Sequence, residues 1–201
     1  MELDLRKLEP RQAHDMLTGS IIPRPIAWVS TITENDEVNL APFSFFTGIT
    51  WYPPTVAFSV VNRDNGTKKD TMANIENSRQ FVVNIVSVDL LPAMECSART
   101  IPCGEDLSYV KGITLIPSKV VKPLRIQEAK ISFECTLDRI VTIGEGAHAG
   151  NLIIGQVQLL HADDGVIIND REIDWRQLDA LGRLSGNRYC TTRSIIESET
   201  N

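Results

Sequence analysis

The chain has 201 residues, 42% of them hydrophobic and 23% charged, with a formal net charge of −6. That is enough apolar material for one sizeable core, so a single domain is expected over 1–201, its core running from about residue 20 to 193. The negative balance opposes binding to nucleic acid or to an anionic membrane, both of which require a basic face.

No apolar run approaches the roughly 20 residues of a membrane span, and the opening MELDLRKLEP is too charged for a signal peptide. A cytoplasmic protein is expected. Its four cysteines, Cys96, Cys103, Cys135 and Cys190, form no CxxC pair and with three histidines lack zinc spacing. They read as reduced, packed thiols, and a cytoplasmic compartment argues against a Cys96–Cys103 bridge.

In chain order, PRQAHDML (Pro10–Leu17) predicts a short surface helix opened by proline and ended by Gly19. Pro23 and Pro25 lead into a strand over Ile26–Thr33, with Ile26, Trp28, Ser30 and Ile32 on one face and Ala27, Val29, Thr31 and Thr33 on the other. Glu34–Glu37 is a turn. The loop Asn39-Leu40-Ala41-Pro42-Phe43-Ser44 joins an amide, a hydroxyl and flat apolar surface, which suits a flat heteroaromatic ligand with a polar edge. Phe45 and Phe46 read as core, whereas Trp51 and Tyr52, beside two prolines, belong at a surface or interface. Thr55–Val61 resumes a strand interrupted by Ser59 on its apolar face.

Asn62–Thr71 gathers Arg63, Lys68 and Lys69 before a helix over Met72–Asn77, capped near Asp70 or Thr71. Cations at a helix N-terminus favour a phosphate, although Lys68 and Lys69 read equally well as a solvated charge run. Gln80–Ser87 is a strand in which Asn84 reads as a satisfied amide. Asp89–Ala98 is a helix with Asp89 as cap and Pro92 in its first turn, and Arg99–Lys111 is irregular, a candidate cover for a site. Three more strands follow, Ile113–Val121, Ala129–Ile143 and Leu152–His161, the last two joined by the glycine-rich Gly144–Asn151 loop. Asp163-Asp164-Gly165 is a turn, Trp175–Leu181 a short helical piece, and the tail after Ile196 is polar. Strands joined by short turns disfavour a doubly wound sheet and suit an antiparallel barrel. No GxGxxG follows a strand, so no Rossmann unit is present.

RPIAWVST, NLAPFSFF, the paired prolines, NR followed by KDT and NI, FVVNIVS, GNLIIGQVQLLH and LGRLSGNRY occur in an order that resembles the flavin reductase-like family. The reductase components of nitrilotriacetate-type two-component monooxygenases look nearest. The resemblance runs from about Ile21 to Arg193. It implies a mainly β protein with peripheral helices, an antiparallel FMN-binding split β-barrel, usually a homodimer. It implies FMN as cofactor, NADH or NADPH as electron donor, and a partner monooxygenase or another electron acceptor.

Carried onto this sequence, the family's KDT phosphate word falls on Lys69 and Thr71, with Arg63 as a second cation and Asp70 as a helix cap. Its flavin-contacting segments fall on Ser30, Thr31, Asn39, Leu40, Ala41, Pro42, Ser44, Ser59 and Asn62. The histidine that many relatives carry before the GxV strand is replaced by Asn151, with His148 three residues earlier; both are candidates for the second substrate. Arg183, Gly186 and Tyr189 match the family's R-x-x-G-x-x-Y word, which either closes over the flavin or fixes the C-terminal segment. Hydride transfer between stacked rings requires positioning more than acid–base chemistry, so no catalytic side chain and no metal are expected. The two functions implied are an NAD(P)H:FMN oxidoreductase and an FMN-holding electron-transfer flavoprotein without nicotinamide activity of its own.

Overall fold

The computed structural model describes residues 1–99 and 107–198. Seven strands form the main sheet: β1 (Ala27–Ile32), β2 (Val38–Phe43), β3 (Phe46–Trp51), β4 (Pro54–Val61), β5 (Gln80–Ile85), β6 (Ile131–Ile143) and β7 (Gly150–Ala162). Every pairing is antiparallel, in the order β2-β1-β5-β6-β7-β4-β3. The two edge strands, β2 and β3, are consecutive in the chain, and only Ser44 and Phe45 separate them. A two-residue link cannot span a flat seven-stranded sheet, so the sheet rolls until its edges approach. They do not pair with each other, and the barrel stays split there.

The inside of the roll is packed by alternate residues of several strands, among them Ala27 and Val29 of β1, Val56, Phe58 and Val60 of β4, and Phe81 and Val83 of β5. Phe58 stands between Phe43 and Phe81, with ring centroids 5.3 and 5.4 Å away. Close passage there explains Gly155 of β7: a Cβ at that position would lie 2.3 Å from the Phe81 ring. Trp28 on the opposite face of β1, with Ile26 just before the strand, joins a second core with Leu90, Met94, Val110 and Ile126. The expected alternation along β1 therefore holds, with both faces buried.

Among the described residues four α-helices decorate the barrel: α1 (Pro10–Ser20), α2 (Asp70–Ser78), α3 (Leu91–Ser97) and α4 (Trp175–Leu178). Helix α2 inserts Met72 and Ile75 into the inner core. A small three-stranded sheet joins Arg24–Pro25 to the hairpin of Leu181–Arg183 and Tyr189–Thr191. Among the described residues no helix is long and apolar enough to cross a membrane.

Several boundaries differ from the sequence expectation. Helix α1 continues through Gly19 and is capped at Ile21. The N-cap of α2 is Lys69, with no side chain capping its first turn, and Asp70 lies inside the helix. Asp89 falls in a 3₁₀ turn before α3, where its carboxylate accepts from the Ser87 hydroxyl at 2.5 Å. Ile113–Val121 supplies only the two-residue strand Leu115–Ile116, because the segment that follows turns back to bind Glu134. Ser59 lies on the face of β4 opposite Phe58 and Val60 and is not an interruption of the apolar face. Cys103 and most of the Arg99–Lys111 stretch lie outside the described residues, as does the end of the polar tail.

Candidate functional site

The split opens into a cleft of about 1750 Å³. Its floor is the run from Asn39 to Phe45, which is β2 and its exit, joined by Ser59 and Val61 of β4. Position in the roll explains this floor: β2 is an edge strand without a neighbour on the split side, so its outer edge faces the opening.

One end of the cleft is built by the 62–71 segment. Arg63 donates to the Asp70 carboxylate at 2.8 Å and to the Lys68 carbonyl, which folds the segment over the start of α2. Lys68 turns away and is bound by Glu76 at 2.7 Å. Lys69 lines the cleft; among the described residues its ammonium makes no hydrogen bond or ion pair. Desolvation, followed by the nearby Arg63 guanidinium, draws this ammonium below the ordinary lysine range, although part of the side chain remains open to solvent. The Thr71 hydroxyl accepts from Asn39 Nδ2 at 2.9 Å, so its own proton is left to donate into the cleft. An uncapped helix start, an unpaired cation and a hydroxyl with a proton to donate together make a candidate anion site.

A second network fastens the loop above this end. The Asn62 amide N–H donates to the Ala149 carbonyl at 3.0 Å and Asn62 Nδ2 to the Gly146 carbonyl at 3.0 Å. Asn151, fully buried, donates to Asn62 Oδ1 at 2.9 Å and to the Val60 carbonyl at 3.1 Å. His148 takes a positive φ of 65° and lines the cleft, with Nδ1 3.8 Å from Asp64.

At the other end lies Arg24, only 5% exposed. Its Nη1 donates to the carbonyls of Thr18 and Ile21, its Nη2 to the Leu184 carbonyl at 2.9 Å and its Nε to the Ser44 hydroxyl at 3.3 Å. One guanidinium thus ties the end of α1 and the C-terminal hairpin to the cleft floor. Because Arg24 can only donate, the Ser44 oxygen accepts and its own proton is free to donate to a ligand. Arg183, paired in register with Arg24, donates to the Tyr189 hydroxyl and the Gly186 carbonyl and stacks 4.6 Å from the Tyr189 ring centroid.

Of the residues that the sequence singles out, Asn39, Leu40, Ala41, Pro42, Ser44, Ser59, Asn62, Arg63, Lys69, Thr71, His148, Arg183 and Tyr189 line this one cleft. Ser30, Thr31 and Asn151 do not. Ser30 points to the outer face, where its hydroxyl donates to the Leu124 carbonyl. Thr31 lies beneath the floor and accepts from Asn39 at 3.3 Å and Asn74 at 3.1 Å, so both it and Asn151 support lining residues from behind. Asp70 pairs with Arg63 and does not cap α2. Sequence reasoning missed Arg24 and Phe45, which face each other at 6.0 Å across the cleft wall. The signal for Arg24 was a charged side chain three residues before a mostly apolar strand.

The geometry defines a class: a split antiparallel barrel whose open seam holds a cleft with a cation and a helix start at one end and a flat, donor-lined floor. Residues 18–173 match the flavin reductase like domain, and the chain belongs to the flavin reductase-like family. Uncharacterized proteins of Aquifex aeolicus and Bacillus subtilis are both 34% identical to it, over 94% of this chain and 94% of the first, and 91% and 90% for the second. Among solved structures, nitrilotriacetate monooxygenase component B from Bacillus cereus superposes with a TM-score of 0.92 at 30% identity, covering 98% of both chains. The 2-nitrobenzoate 2-nitroreductase NbaA of Pseudomonas fluorescens gives 0.86 at 26% identity, covering 100% of this chain and 96% of its own.

Proposed function

We propose that this protein is an FMN-binding flavin reductase that takes hydride from NADH or NADPH. The observation that carries the reading is Lys69: the cation of the 62–71 segment without a protein partner stands in the cleft at the uncapped start of α2, where a flavin's phosphate would neutralise it. Thr71 donates beside it, and Asn39 and Ser44 present polar groups along the floor for the edge of the ring. When bound, FMN supplies a two-electron acceptor for hydride. The cleft is larger than the roughly 300–1,000 Å³ of a pocket for one small ligand, which leaves room for a second ring beside the first. The relative named as a monooxygenase component supports a partner monooxygenase as the consumer of the reduced flavin.

The test is direct. Purified protein mixed anaerobically with FMN and NADH or NADPH should bleach the flavin absorbance within minutes, and in air it should consume nucleotide and oxygen together. FMN that binds but is reduced by neither nucleotide would sink the reductase reading.

One observation favours a second reading, a flavoprotein that retains FMN and passes electrons onward without nicotinamide activity of its own. The Gly144–Asn151 loop is fastened over the phosphate end through Asn62 and Asn151, which would hinder release of the flavin. FMN retained through gel filtration and unreactive toward nucleotide would select it.

We also propose a homodimer in the cytoplasm. Trp51 and Tyr52 at the tip of the β3–β4 hairpin are 91% and 86% exposed, and large exposed aromatics mark interfaces. A monomer by sedimentation at micromolar concentration, with flavin bound, would contradict this.

A further inference from the structure

Besides the exposed Arg99, three cations line the cleft without an ion-paired carboxylate among the described residues: Lys69, Arg24 and Arg183. A single phosphate cannot serve all three. Asn39, which touches Thr71 beside Lys69, and Ser44, which touches Arg24, are five residues apart along β2 and its exit. At about 3.3 Å per residue the two cationic ends are separated by roughly 17 Å. The Lys69 ammonium feels Arg63 and Asp64, whereas Arg24 feels Arg183, so each end is electrostatically its own.

The Arg24–Arg183 end is unusual in its charge. Arg24 is buried, every hydrogen-bond partner it has is a carbonyl or a hydroxyl, and its neighbour in register is a second guanidinium. Burial and then Arg183 both lower the Arg24 proton affinity. Glu95 lies close enough to the Tyr189 hydroxyl to raise its proton affinity, but among the described residues no carboxylate forms an ion pair with either arginine. Two adjacent like charges with no ion-paired carboxylate among the described residues are costly unless something anionic visits them. Donors remain to receive it. Arg183 uses two of its five N–H groups, on Tyr189 and Gly186, and the free fork is the geometry that binds an oxyanion at two points.

Resting on the flavin reading of the Lys69 end, we infer that the Arg24–Arg183 end is a second oxyanion subsite, which takes an anionic group of the second substrate. The same chemistry fits two sources: a carboxylate on an aromatic electron acceptor, or the diphosphate of the nicotinamide nucleotide.

The experiment uses FMN-loaded protein titrated with benzoate, its neutral isostere benzamide, and ADP-ribose, read by perturbation of the flavin spectrum. At least one anion should bind about tenfold or more tighter than benzamide. Arg183→Gln should abolish that advantage, Arg183→Lys should keep part of it, and Tyr189→Phe, which leaves the charge in place, should keep most of it. FMN affinity, measured separately by fluorescence quenching, should stay within about twofold in all three variants. A response confined to benzoate assigns the subsite to an acceptor carboxylate, and one confined to ADP-ribose assigns it to the donor. Binding of both anions no tighter than that of benzamide to the unmodified protein overturns the subsite, whether or not any variant folds. Failure of FMN itself to bind overturns the flavin reading, and the subsite with it.

Discussion

Two sets of charged groups, one buried on the outside of the barrel and one along the cleft, are handled in opposite ways. On the outside of the barrel, Glu134 of β6 is 0% exposed, yet it accepts from the amides of Lys119, Val120 and Val121 at 2.8, 2.6 and 3.1 Å and contacts His161 at 2.5 Å. Every oxygen there has its donors. In the cleft, Lys69, Arg24 and Arg183 form no ion pair among the described residues. The comparison teaches that a compensated buried charge organises a fold, here by pinning the 118–122 turn to the sheet, whereas an uncompensated one beside an opening waits for a ligand.

Breaking the compensated set should have the largest effect. Glu134→Gln replaces an oxygen facing two backbone N–H groups, or one facing His161, with an NH₂ that cannot accept. Loss of about 3–5 kcal/mol is expected, measured by urea or thermal unfolding, with FMN affinity of the folded fraction nearly unchanged. A loss below about 1 kcal/mol would mean that the turn holds without the carboxylate.

The same residue predicts an acid limit. Burial alone would raise the Glu134 carboxyl, but the Lys119 amide, His161 and the Val120 amide outweigh it and hold the group below the ordinary glutamate value of 4.5. A carboxylate depressed in the folded state stabilises fully above that ordinary value, and this stabilisation is lost as pH falls through the lower folded value. Stability should therefore fall steeply below about pH 4.5, and Glu134→Gln should flatten that part of the profile. An unchanged acid slope in the variant would assign it to other carboxylates.

Breaking the uncompensated set should affect binding rather than folding. Lys69→Glu should weaken FMN by about ten- to a hundred-fold, the worth of one charge-assisted hydrogen bond. Riboflavin, which lacks the phosphate, should lose little, and melting temperature should move little because Lys69 holds no protein partner. Equal losses for both ligands would make Lys69 structural.

The sequence carried much of this, and its gaps have physical causes. The two-faced pattern of β1 follows from period-2 burial, and the strands expected at 26–33, 55–61, 80–87, 129–143 and 152–161 are close to those found, whereas 39–44, read as a loop, falls mostly within strand β2, Phe46–Trp51 was not read as a strand, and 113–121 holds only a two-residue strand. Ser30 and Thr31, candidates through the family's flavin-contacting segments, are both buried: parity along a strand says which residues share a face, but not which face meets the opening. The rolling of the sheet decides that, and it depends on β2 and β3 becoming opposite edges, a long-range fact. Arg24 was missed for a related reason, since its partners at Thr18, Ile21 and Leu184 come from segments that only the fold brings together. Lys68 and Lys69 are indistinguishable as adjacent letters; helical geometry separates them, sending one to Glu76 and the other into the cleft.

That separation yields the smallest and most discriminating prediction. Lys68 and Glu76 form an exposed pair at 2.7 Å, with side chains 51% and 35% accessible, and such pairs are worth about 0–1 kcal/mol because water screens them and two flexible side chains must be held. Lys68→Ala should therefore shift the unfolding midpoint barely above error. Its effect on FMN binding should be equally slight: the ammonium is already neutralised by Glu76 and points away from the cleft, so a phosphate gains little from it. Paired with Lys69→Glu, this variant asks whether charge in the 62–71 segment acts in bulk or through one position. If Lys68→Ala weakened FMN as much as a change at Lys69, the phosphate would be held by the general field of the basic segment, and the assignment of Lys69 as its specific partner would fall.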